Sequence, residues 1–88
     1  MTDDVAQAEA VVNELLHKRS RLVAHATELT DERFAISFGS GQGYAPEAFP
    51  RLGEINAALA LLDSELRSVD VALVEARKRL ALEEGRAT

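Results

Sequence analysis

Residues 52–80 read LGEINAALALLDSELRSVDVALVEARKRL, and this stretch decides the fold. Leu52, Ile55, Leu59, Leu62, Leu66, Val69, Leu73, Ala76 and Leu80 are separated alternately by three and four residues, the a/d stripe of a heptad repeat. A strand would alternate by two, so the spacing predicts a helix whose stripe faces a second helix. The phase ends at Glu83, and Gly85-Arg86-Ala87-Thr88 reads as a helix stop followed by a frayed tail over 85–88. Pro46 and Pro50 each suit a first turn, where a missing N–H costs little. These signals bound the helix at about 50 and about 84.

Gly39, Gly41, Gly43, Pro46 and Pro50 crowd together upstream and predict a loop over about 39–50. The residues before it, about 3–38, form the other long element. Thr2, Asp3 or Asp4 suits its N-cap, with acids at the positive end of the helix dipole. Val5, Ala8, Val12, Leu15, Leu16, Leu22, Val23, Ala26 and Leu29 gather on one side at about 100° per residue, a broader stripe than that of the second element. Arg33-Phe34-Ala35-Ile36-Ser37-Phe38 alternates apolar and polar, which also fits a short strand. Helix is favoured there, because a strand would have no partner and Ile36 continues the three-four spacing from Leu29 and Arg33.

The fold class expected is therefore all-α. One domain, residues 1–88, forms an antiparallel two-helix hairpin. A turn centred near Gly43 sets Asp3, Asp4 and Glu9 against Arg77, Lys78 and Arg79, and sets Arg33 against Glu54. Lys18, Arg19 and Arg21 fall against Glu65 and Asp70. Opposite signs meet along the length and choose register more than they add stability. Arg19 stands in the apolar stripe of the first helix, so a partly buried ion network with Asp63, Glu65 and Asp70 is expected to hold it.

A hairpin of this size buries little once chain entropy is counted. The second helix carries further uncharged side chains on its back: Ala57, Ala60, Leu61, Ser64, Ser68, Val71, Val74 and Leu82. An apolar second face marks another protein contact, so self-association is expected, most simply a homodimer forming a four-helix bundle. Tyr44 and Phe49 lie near the loop and are expected to pack across the helix ends or dock a protein partner there.

The 88 residues are 47% hydrophobic, contain no cysteine and carry a net charge of −5. No disulfide framework or thiolate site is available, and the cytoplasm is the expected compartment. The acid excess opposes affinity for phosphate backbones or anionic lipid. The acidic Met1-Thr2-Asp3-Asp4 is unlike a basic leader, and no apolar run reaches the roughly 18 residues that span a bilayer.

Three constellations invite chemistry. Glu14-x-x-His17 has the spacing of di-iron carboxylate bundles, yet both side chains fall far from the apolar stripe and point to solvent. His17-Lys18-Arg19-Ser20-Arg21 is the one dense basic segment, and nucleic-acid binding through it is the alternative to a protein-binding role. Gly39-Ser40-Gly41-Gln42-Gly43 lacks the strand before it and the Gly-Lys-Ser/Thr of a phosphate loop, so it reads as a turn. No nucleophile and base can be matched. No cofactor is expected, and the reading is a non-enzymatic scaffolding or assembly component.

Arg51-Leu52-Gly53-Glu54-Ile55-Asn56 running into Leu59 to Leu80 resembles uncharacterised short coiled-coil proteins of bacterial and phage-related genomes, over the second half of the chain. That resemblance implies a helical hairpin and no activity.

Overall fold

The computed structural model describes residues 2–38 and 48–87. They form two α-helices, α1 (Thr2–Phe38) and α2 (Ala48–Ala87), which pack on each other. Glu32 bonds Arg51, Arg33 bonds Asn56 and Arg19 bonds Asp70. Partners descend along α2 as they ascend along α1, so the helices are antiparallel. The result is a rod 64 × 16 × 13 Å.

The α2 seam follows the heptad. Ile55, Leu62, Val69 and Leu73 are buried, Ile55 completely, and Leu52, Leu59, Leu66, Ala76 and Leu80 are half-buried. On α1 the seam is narrower than the broad stripe anticipated. Leu16 and Val23 are exposed at its margin. The residues that face α2 are Val5, Ala8, Val12, Leu15, Leu22, Ala26, Leu29 and Ile36, again three and four apart once Arg19 and Arg33 fill the two gaps. Both helices therefore use one heptad pattern, and two arginines occupy equivalent positions in it.

Arg19 marks the division of the core, whereas Arg33 lies within one cluster, between Leu29 and Ile36. Val12, Val69 and Leu73 form one buried cluster, with Leu15, Ala76 and Leu80 against it. Leu29, Ile55 and Leu62 form another, with Ala26, Ile36, Ala58 and Leu59 against it. Leu22 touches both and joins them.

Three boundaries differ from the sequence reading or complete it. Residues 33–38 are helical, because Ile36 packs into the cluster around Ile55. Helix α2 begins at Ala48, which places Pro50 in its first turn, where proline removes no intrahelical hydrogen bond. Gly85 does not stop α2, which continues to Ala87 rather than ending at about 84. A glycine stop needs a left-handed backbone, and Gly85 keeps a right-handed one. Arg86 sits in the last turn at the negative end of the dipole and bonds Glu83 at 3.1 Å, which supports the extra turn. Pro46 and the rest of the glycine-rich segment lie outside the described residues.

Two neighbours on α2 test this assignment with opposite signs. Ile55→Ala removes a completely buried side chain and is expected to cost about 3 kcal/mol in urea unfolding. Gly53→Ala places a methyl where nothing stands within 4 Å on a helical residue, and is expected to add about 0.5–1 kcal/mol.

Candidate functional site

The back of α2 is the most coherent uncovered surface. Ala57, Ala60, Leu61, Ser64, Ser68, Val71 and Val74 are all exposed, with Leu61 and Val71 each 66% and Val74 52% accessible. Ala57, Ser64 and Val71 stand directly opposite the seam, with Leu61 and Ser68 on one flank and Ala60 and Val74 on the other, where Val74 borders a groove with Leu16 and Arg19 of α1. Between Ala57 and Val74 this outward face carries one charge, Arg67, whose guanidinium bonds Asp63 on its own helix at 3.1 Å. The outward face of α1 is different in kind, with Glu14, Arg21, Glu28 and Asp31 exposed along it. A helix polar on its outer face is adapted to water. A helix with exposed leucine and valine there is not.

At the loop end a second apolar feature appears that sequence reading did not single out. Phe34 and Phe38 are 64% and 67% exposed, and their rings stack obliquely with centroids 4.6 Å apart. With Thr30, Arg33, Ser37 and Asn56 they line a shallow groove. Phe49, in the first turn of α2, is also exposed at this end. Tyr44 lies outside the described residues. The signal for Phe34 and Phe38 was their four-residue spacing off the heptad, which has meaning only once 33–38 is helical.

Arg19 leaves the seam instead of being enclosed by it. Its Nε donates to Asp70 Oδ1 at 2.9 Å, and the two side chains are 47% and 54% exposed. The partly buried network with Asp63 and Glu65 does not form, because the long arginine stem lies over the apolar seam and carries the charge to its edge. Asp63 pairs with Arg67 instead. Arg33 repeats the arrangement, donating from Nη1 to Asn56 Oδ1 at 3.2 Å rather than pairing with Glu54. Glu54 and Glu32 both accept from Arg51, at 3.1 Å for Glu54 and at 2.7 and 3.1 Å for the two oxygens of Glu32. These bonds, Glu32 first and Glu54 second, raise the Arg51 guanidinium above its ordinary range and keep it charged.

Opposite charges therefore do not meet along the whole rod. Among the described residues, two ion pairs cross between the helices, Arg19–Asp70 and Arg51–Glu32. None joins Asp3, Asp4 or Glu9 to Arg77, Lys78 or Arg79, although Asp4 and Arg79 line one groove at the open end. Lys78 bonds Glu75 on its own helix.

The remaining constellations are dispersed. Glu14 and His17 are exposed on the far side of α1, and His25 is exposed as well. Among the described residues no group of three or more His, Asp or Glu side chains stands close enough to share a metal ion. His17, Lys18 and Arg21 are exposed, while Arg19 is occupied by Asp70. The Thr27 and Thr30 hydroxyls donate to the carbonyls of Val23 and Ala26 and are spent within α1. Gly39 to Gly43 lie outside the described residues. No described helix is long and apolar enough to cross a membrane.

No protein-family model matches this chain, and neither a curated protein nor a solved structure matches it.

The place of Arg19 in the seam makes a direct test of register. Arg19→Leu fills a heptad position with an apolar side chain and is expected to raise unfolding stability by about 1 kcal/mol. The same substitution is expected to broaden the set of oligomers seen by sedimentation, because a polar seam residue selects one alignment at a cost in stability.

Proposed function

We propose that this chain is a non-enzymatic assembly component, a helical hairpin that works as a four-helix homodimer joined through the back of α2. The observation that carries the reading is the exposed aliphatic surface of Leu61, Val71 and Val74 on a face with a single, internally paired charge. Surface area supports it. The chain exposes 6503 Å², whereas a folded protein of its mass typically exposes about 5,000 Å². The excess of roughly 1,500 Å² exceeds the ~800 Å² that each partner contributes to a standard interface. Among the described residues no third element covers this surface, and a second copy supplies one at no cost in new sequence.

Sedimentation equilibrium at micromolar concentration is expected to give twice the 9.5 kDa chain mass, with a melting temperature that rises with protein concentration. Leu61→Glu combined with Val71→Glu is expected to yield a less stable monomer. A wild-type monomer whose melting is independent of concentration overturns the reading.

The stacked Phe34–Phe38 pair favours a second contact, with an unidentified protein partner that docks at the loop end together with Phe49 and Tyr44. A double Phe34→Ser, Phe38→Ser variant is expected to lose such a partner in pull-downs while keeping its own mass in sedimentation. Loss of the homodimer in that variant would assign the pair to self-association instead.

A further inference from the structure

The outward face of α2 contains a second heptad seam, and its side chains specify how two copies meet. Glu54, Ala57, Leu61, Ser64, Ser68, Val71, Glu75 and Lys78 are spaced three and four apart along the line opposite α1, and every one is exposed. Resting on the homodimer proposed above, we infer that two α2 helices pair antiparallel along this line, with the two-fold axis midway between Ser64 and Ser68.

Antiparallel seams pack the first position of each heptad pair against the second position of the other helix. In this register Ser64 of one copy faces Ser68 of the other, and Leu61 faces Val71. Ala57 faces Glu75, leaving room for a carboxylate. Glu54 faces Lys78. Each layer occurs twice by symmetry, so the apolar and hydroxyl layers lie at the centre and an opposite-charge pair closes each end.

The alternatives place charges badly. A parallel pairing sets Glu54 against Glu54, Glu75 against Glu75 and Lys78 against Lys78. A shift of one heptad in one direction drives Lys78 onto Leu61 and Glu75 onto Ser64. The opposite shift sets Glu54 against Val71 and carries Lys78 beyond the Ala48 end of the other α2. Of these registers, only the central one sets Leu61 against Val71 and Ser64 against Ser68 while bringing Glu54 to Lys78. Because this line points away from α1, the four helices lie side by side in one layer, with the two α2 helices inside and each α1 outside. The two loops then sit at opposite ends. This is a single layer of four helices rather than a square bundle.

The chain has no cysteine, so single cysteines can carry spin labels without background. Positions 54 and 78 are separated by about 36 Å of helix rise. Labels on Glu54→Cys are therefore expected to lie at least about 36 Å from each other in the dimer, and labels on Arg67→Cys within about 15 Å. Both substitutions replace exposed side chains. A dimer in which position-54 labels stand as close as position-67 labels overturns the antiparallel register but leaves self-association intact. A monomer by sedimentation, with no dipolar coupling at either position, overturns self-association itself.

Discussion

Two helices lying against each other can each hide one stripe from water, and the rest of this structure depends on that limit. The stripe here is a heptad seam whose buried residues run from Ile55 and Leu62 against Leu29 to Val69 and Leu73 with Val12. It explains the rod shape, the antiparallel order and the absence of any polar side chain among the buried residues described. It also leaves more than half of each helix facing outward. On α1 the middle of that surface is charged and suited to solvent, and its loop end carries the exposed Phe34–Phe38 pair. On α2 it is aliphatic and small, and the asymmetry between the two outer faces separates the surface that meets water from the one offered to another chain.

Polar residues tune the seam rather than build it. Arg19 and Arg33 stand two heptads apart in α1, and each reaches out of the seam to a partner at the edge of α2, Asp70 and Asn56. Each interrupts the apolar line of α1, and the core falls into two clusters at Arg19, bridged by Leu22. Half-exposed pairs of this kind contribute little energy, but a shift of one heptad sets either Arg19 against Arg77 or Arg33 against Phe49, so the observed register gives both arginines an acceptor. The Arg51 fork on Glu32 and Glu54 makes a third tie near the loop, where two carboxylates converge on one guanidinium.

Legibility in the sequence followed the strength of the period. The α2 seam could be written out residue by residue, because nine heptad positions in succession were aliphatic. The α1 seam was blurred, since two of its positions are arginine and the neighbouring Leu16 and Val23 mimic a wider stripe. Gly85 resembled a stop by residue type alone, yet a glycine ends a helix only when its backbone turns left-handed. Charge pairing was the least legible feature. Long side chains choose among several acceptors within reach, so Arg33 took Asn56, Glu54 took Arg51, and Asp63 took the Arg67 one turn away. Phe34 and Phe38 became a surface feature only when their segment proved helical.

Sequence alone determined that the chain is two long helices folded back on each other, because hydrophobic spacing encodes helix and contact face locally, and clustered glycine and proline encode the break. Which side chains pair, where Arg19 carries its charge, and how much of the aliphatic surface stays uncovered were decided by tertiary structure. Those properties depend on distances between residues far apart in the chain, and these are set only when one rod is laid against the other.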